Sequence, residues 1–169
     1  MELPKRKPSR LSYYDYSTPG AYFITICTKD KKCILGKIVG GGALDAPIVQ
    51  LTEMGHVVQR YILSGNNVTG VTVDKFVIMP NHIHLVLLLD TTCGTSKAPS
   101  PTNAVIPHFV STLKRFCNQD IGRNIFQRSF HDHVIRGEKE YLKIWEYIDN
   151  NPAKWEEDCF YTTTGEAEA

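Results

Sequence analysis

Hydrophobic and polar positions recur along this chain with two different periods, and the switches between them mark its elements. Ala21-Tyr22-Phe23-Ile24-Thr25-Ile26-Cys27-Thr28 follows Pro19-Gly20 and is rich in β-branched and aromatic residues, which predicts a strand. Lys29 to Lys32 reads as a turn, Cys33 to Val39 as a second strand antiparallel to the first, and Gly40-Gly41-Gly42 as the start of a loop. From Leu51 the period becomes helical, with Leu51, Met54, Val57, Val58, Tyr61 and Ile62 on one face, and Ser64-Gly65-Asn66-Asn67 ends that run. Val71 to Ile78 predicts a third strand. Met79-Pro80-Asn81 separates it from the continuous apolar run His82 to Leu89, which reads as a buried strand entered through a proline. Residues 91–103 form a polar, Pro/Ser-rich loop. Ile106 to Gln119 suits a helix with Phe109, Val110, Leu113 and Phe116 apolar, stopped by Gly122. Glu138 to Asn151 predicts the last helix, closed by Pro152, which disfavours helical geometry in the residue before it. The order strand–strand–helix–strand–strand–helix–helix implies an α+β domain, one mainly antiparallel sheet with helices packed on a face.

Length adds a domain count. With 169 residues the chain is expected to form one domain with a proper core, over residues 20–155. No apolar run approaches the eighteen or so residues of a membrane helix, and the polar N-terminus has no signal-peptide core, so a cytoplasmic location is the default expectation. The five cysteines are odd in number, scattered and without a Cys-x-x-Cys pair, and carry no assigned function. A net charge of +1 conceals an asymmetry: residues 1–37 hold eight Lys/Arg against three acids, and residues 138–169 hold three against nine. Residues 1–19 therefore read as a basic arm whose Lys5, Arg6, Lys7 and Arg10 either engage phosphates or simply fray. Residues 156–169 read as a solvated acidic tail.

Candidate chemistry begins at His82-Ile83-His84. Side chains alternate faces along a strand, so the two imidazoles point the same way and can hold one divalent metal. A plain pair of half-exposed histidines fits the motif equally well. The second feature lies on the last helix, where Tyr147 and Asn151 are four residues apart and share a face. Asn151 offers an amide oxygen as a third ligand, and Tyr147 would sit one turn away with its phenolic oxygen as a nucleophile. Read in isolation, Tyr147 packs in the core and Asn151 caps the helix before proline.

Taken together, His82-x-His84 after Met79-Pro80-Asn81, then Tyr147-Ile148-x-x-Asn151-Pro152, resembles the single-tyrosine HUH transposases, most of all the branch associated with repetitive extragenic palindromes. Phe126-Gln127-Arg128-Ser129-Phe130-His131-Asp132-His133-Val134-Ile135-Arg136 and the acidic start of the helix before Tyr141 match as well. The likeness spans about Gly20 to Trp155. It implies a ferredoxin-like sheet and Mg²⁺ or Mn²⁺ on His82, His84 and Asn151. It also implies cleavage of single-stranded DNA beside a hairpin, leaving a 5′-phosphate on Tyr147 and a free 3′-hydroxyl. Insertion-sequence relatives carry glutamine where this chain has Asn151, and Phe126 stands where relatives often show tryptophan. The resemblance leaves open a monomer or a homodimer. Lys114, Arg115, Arg128 and Arg136, interleaved with Phe126 and Phe130, are candidate DNA contacts, with a solvated helix face as the plainer alternative for Lys114 and Arg115. His131 and His133 are expected near DNA or in hydrogen bonds holding the loop before the last helix. Two competing functions remain: a hairpin-binding module that has lost cleavage, and a small metallohydrolase that uses His82 and His84 with a bound water.

Overall fold

A computed structural model of the chain describes residues 14–42, 46–91 and 104–162. The basic residues Lys5, Arg6, Lys7 and Arg10, most of the 91–103 loop and the last seven residues of the acidic tail lie outside the described residues. The elements in chain order are β1 (Gly20–Cys27), β2 (Gly36–Val39), β3 (Ile48–Leu51), α1 (Glu53–Ser64), β4 (Val71–Ile78), β5 (His82–Leu89), α2 (Val105–Ile121), β6 (His131–Ile135) and α3 (Glu138–Asn150).

Four strands form an antiparallel sheet in the order β4-β5-β1-β6. Reading β1-α1-β4-β5-α2-β6 gives the β-α-β-β-α-β succession of a ferredoxin-like domain, as expected. The alternation along the two inner strands sorts their side chains. Tyr22, Ile24 and Ile26 of β1 and Ile83, Leu85, Leu87 and Leu89 of β5 join Val58 and Ile62 of α1 and Phe109, Val110 and Leu113 of α2 in the main core. The residues between them, Phe23 of β1 and Val86 and Leu88 of β5, meet Tyr141, Ile144 and Ile148 of α3. The helices therefore do not share one face as expected: α1 and α2 cover one, and α3 takes the other, the face on which His82 and His84 stand, because β1 and β5 are apolar on both sides. Tyr16 belongs to the main core and Tyr22 Oη donates to the Thr18 carbonyl at 2.6 Å, so packing begins ahead of residue 20.

Three local expectations are corrected. The second strand does not pair with β1: β2 pairs with β3, register Gly36↔Leu51 to Val39↔Ile48, as a separate two-stranded ribbon. Leu51 ends β3 instead of opening the helix. α1 starts after Thr52, whose side chain accepts from the Gly55 N–H, a standard N-cap bond. The segment holding His131 and His133 is a strand, β6, paired along β1 from Ala21↔Ile135 to Thr25↔His131. Gly55 is needed where α1 crosses the ribbon, because a Cβ there would stand 2.0 Å from the Leu35 carbonyl oxygen.

Candidate active site

The site is built from β5, the end of α3 and the turn that follows α3. β4 and β5 join through Met79-Pro80-Asn81, with the Met79 N–H bonded to the His82 carbonyl at 2.8 Å. Asn81 fixes the first histidine. Its amide nitrogen donates to the Lys31 carbonyl at 3.1 Å and the Phe160 carbonyl at 2.9 Å, which orients its oxygen toward His82 Nδ1, 2.9 Å away. A carboxamide oxygen only accepts, so Nδ1 of His82 carries the proton and Nε2 presents a lone pair. Thr25, opposite His84 in the β1–β5 register, shares a hydrogen bond of 2.9 Å between its Oγ1 and His84 Nδ1. Both outer nitrogens are thus held from behind, the arrangement that orients metal-binding imidazoles. The two Nε2 atoms face each other at 3.0 Å.

Both rings are sealed from water, at 0% and 1% exposure. Phe160 covers His82 with ring centroids 4.7 Å apart, and Trp155 lies 5.9 Å away. Burial disfavours the imidazolium and holds both histidines well below the usual imidazole range; for His84 the neighbouring His82 adds to it, while Asp158 opposes it in both. Both are neutral in the native protein and return to about 6.5 when the chain unfolds. Below that pH the unfolded chain binds more protons than the native one, so stability falls as pH drops through this window. The metal-free protein is expected to melt at a lower temperature at pH 5 than at pH 7.5, and a His82→Gln/His84→Gln double variant to lose most of that dependence. A pH series of thermal melts checks this.

α3 brings up the remaining groups. Glu138 and Glu140 sit in its first turn, favourable against the helix dipole, and Glu140 Oε2 accepts from the Arg136 N–H at 2.8 Å. At the other end Tyr147 Oη lies 3.3 Å from His84 Nε2 and donates to Asp158 Oδ2 at 3.1 Å. Asn151, 2% exposed, donates from Nδ2 to the same carboxylate oxygen at 3.0 Å. Burial and the Asp158 carboxylate push the Tyr147 phenol up to about 12, so it is protonated at neutral pH. Burial also works against ionisation of Asp158, but the Phe160 N–H, the Asn151 amide, His82 and the Tyr147 hydroxyl outweigh it and leave the carboxyl below its usual range. Tyr147 itself is 41% exposed. It borders an open cleft of about 550 Å³ whose lining includes Lys143, Glu146, Asn150 and Lys154.

The donor set fits a divalent cation. Asn151 Oδ1 is buried and has no hydrogen-bond partner, which leaves a carbonyl oxygen desolvated and uncompensated. Ligand atoms of His82, His84 and Asp158 lie within 4.8 Å of one another, near the spacing imposed by metal–ligand distances of about 2.0–2.2 Å. Two neutral imidazoles, a carboxylate and an amide oxygen suit a divalent ion of intermediate hardness.

The four residues singled out for chemistry, His82, His84, Tyr147 and Asn151, therefore meet at one place. The candidate DNA contacts are dispersed. Lys114 turns its ammonium onto the carbonyls of Gln127 at 2.8 Å and Ser129 at 2.9 Å, tying α2 to the segment before β6. Arg115 stacks over Phe116 with 4.6 Å to the ring centroid, and Arg128 and Arg136 are exposed. His133 Nε2 is 2.8 Å from Glu140 Oε1, so it links β6 to the first turn of α3, and His131 is exposed on the same strand. Asp158, Phe160 and Trp155 were not singled out from the sequence. Two of them fall in the stretch that reads as an acidic tail, where an aromatic residue among acids was the one signal of packing.

No family model matches the sequence. An uncharacterized protein of Haemophilus influenzae is 34% identical over 176 aligned positions, which cover 92% of this chain and 93% of that protein. The chain belongs to the family of that protein. Among solved structures, a REP-associated tyrosine transposase bound to a REP hairpin superposes with a TM-score of 0.61 at 20% identity, over 89% of this chain and 74% of the transposase. The chain shares the fold of that structure. Among the described residues no helix is long and apolar enough to cross a membrane.

Proposed function

We propose that this chain is a metal-dependent, single-strand DNA endonuclease and strand transferase of the single-tyrosine HUH type, acting beside DNA hairpins. The observation that carries the reading is the meeting of Tyr147 Oη with His84 Nε2 at 3.3 Å, next to a buried, donor-rich pocket in a tyrosine-transposase fold. That the transposase of this fold was captured with a REP hairpin supports hairpin DNA as the substrate class.

His82, His84 and Asn151, with Asp158 beside them, would hold Mg²⁺ or Mn²⁺. Bound by these residues, a divalent cation would supply Lewis-acid polarisation of the scissile phosphate. Every other part belongs to the chain. A DNA strand would reach Tyr147 through the open cleft along α3. Tyr147 Oη attacks the phosphorus in line, forming the Oη–P bond as the bond from phosphorus to the 3′-oxygen breaks. The phenolic proton passes to Asp158 Oδ2, which already accepts its hydrogen bond. The departing 3′-oxygen takes a proton from solvent and becomes a hydroxyl. The phosphotyrosine keeps the energy of the broken phosphodiester, so a 3′-hydroxyl can reverse the step or join a new strand without a nucleotide cofactor.

Asp158→Asn tests the proton acceptor. It preserves size and one hydrogen bond, and it is expected to slow formation of the covalent protein–DNA adduct by about 10²-fold, at the low end of what a positioned acid–base group contributes. Single-turnover kinetics on hairpin-bearing oligonucleotides measure this; a rate within threefold of the unmodified protein removes Asp158 from the mechanism.

A further inference from the structure

β4 carries an irregularity that the site chemistry does not use. Its register with β5 slips between Val73 and Lys75, so Asp74 is the extra residue of a bulge, and a bulge re-aims its side chain. Asp74 Oδ2 accepts two hydrogen bonds from α3, from Tyr141 Oη at 2.5 Å and from Trp145 Nε1 at 2.7 Å. Tyr141 and Trp145 are four residues apart, so one carboxylate oxygen grips two successive turns on the same helix face. Burial and Asp74 itself raise the Tyr141 phenol, which keeps that donor protonated. The next residue of the strand continues the contact. Lys75 Nζ sits 3.9 Å from the Trp145 ring centroid and 2.6 Å from Asp149 Oδ1. These attachments bracket Tyr147, two before it in sequence and one after.

The apolar contacts of Ile144 and Ile148 hold α3 against the sheet, but such contacts are non-directional and permit a helix to roll. Hydrogen bonds to a charged acceptor are directional and stronger than neutral ones. Rolling a helix by about 20° moves a side-chain atom at the helix surface by roughly 2 Å, given a radius of about 5–6 Å. A misplacement of about 1 Å at a reacting group can cost about 10²-fold in rate. We propose that Asp74 is a positioning residue for Tyr147: it fixes the roll and axial setting of α3 so that the phenol of the same chain meets His84. The inference rests on Tyr147 being the nucleophile.

Single-turnover adduct formation in Mn²⁺, on a hairpin-bearing single-stranded oligonucleotide, tests it with the unmodified chain, Asp74→Ala and Asp74→Asn. At saturating DNA, Asp74→Ala is expected to lower the rate constant about 10²-fold while the Kd for the oligonucleotide stays within about twofold. Asp74→Asn should fall between, because its amide oxygen accepts from one donor while its NH₂ confronts the other. Adding Tyr141→Phe to Asp74→Ala should cost nothing further, since the two act through one bond. If Asp74→Ala does not fold, Tyr141→Phe and Trp145→Phe, each deleting one of the two bonds, carry the same test and should each lower the rate constant at unchanged Kd. A rate constant within twofold in the folded variants, with only the melting temperature lowered, would overturn the proposal and leave Asp74 a stabilising residue. An unmodified chain that forms no adduct on any hairpin overturns the nucleophile reading itself. An adduct undiminished by Asp74→Ala overturns this inference alone.

Discussion

Tyr147→Phe is expected to form no covalent adduct with DNA under conditions in which the unmodified chain does. The variant lacks the one oxygen that becomes bonded to phosphorus, and loss of a nucleophile typically removes all but a residual part of catalysis. The fold should survive, since Tyr147 is 41% exposed and its aromatic contact with Phe23, at 6.1 Å between centroids, needs only the ring. Hairpin binding should persist as well. The variant therefore separates three functions that the sequence leaves in competition. A strand transferase loses its adduct. A metallohydrolase using His82 and His84 with a bound water keeps its activity, because the phenol takes no part. A hairpin-binding module shows binding and no adduct with or without the substitution.

His82→Ala and His84→Ala are expected to have the second largest effect, on metal affinity and on cleavage together. Each removes one of the two imidazoles from a set in which Asn151 Oδ1 already lacks a partner. Loss of groups that merely orient metal ligands costs about 10–100-fold in affinity, so loss of a ligand should exceed 100-fold. Titration calorimetry with Mn²⁺ reads this without DNA, and adduct formation should disappear in parallel. Thr25→Val probes the layer behind His84. It deletes the hydroxyl that holds Nδ1 at 2.9 Å while nearly preserving shape, and it belongs in the same titration with a loss in the 10–100-fold range. Because the ligand nitrogens must be unprotonated, Mn²⁺ affinity should weaken as pH falls.

The parts of this architecture that were legible in the sequence are those specified by nearby residues. The apolar run after Met79-Pro80-Asn81 sets β5, strand alternation puts His82 and His84 on one face, and a four-residue spacing puts Tyr147 and Asn151 on another. The contact between those two faces, however, is tertiary, and a resemblance to known proteins supplied it in advance. Short or polar strands leave little trace. β3 is four residues of alternating partial exposure, and β6 begins His-Asp-His, so neither offers an apolar run to count. β2 is legible as a strand but its partner is not, because a strand's partner depends on where the chain returns and not on its own pattern. Asp158 was hidden for a different reason. Glu156-Glu157-Asp158 has the composition of a solvated tail, and the turn after Pro152 that carries Asp158 back to the histidines leaves no periodic trace. Asp74 was invisible likewise, since a bulge shows itself only against the strand it pairs with.

Placement of the tyrosine helix on its own sheet gives the site its character. His84 meets the phenol from below, Asp158 from the turn beyond the helix, and Asn151 closes the set one turn on. The groups to which the proposed function gives these roles are thus brought into one hydrogen-bonded cluster from two short stretches of sequence joined across the sheet.

The most direct test of the proposed function incubates the protein with Mn²⁺ and a labelled pool of hairpin-bearing single-stranded oligonucleotides, followed by denaturing electrophoresis and peptide mass spectrometry. A covalent adduct whose phosphate maps to Tyr147, absent from Tyr147→Phe and from His82→Ala, is the predicted result, and the trapped strands would supply the target sequence. Cleavage without an adduct, or hairpin binding with neither cleavage nor adduct across a diverse pool, would contradict it.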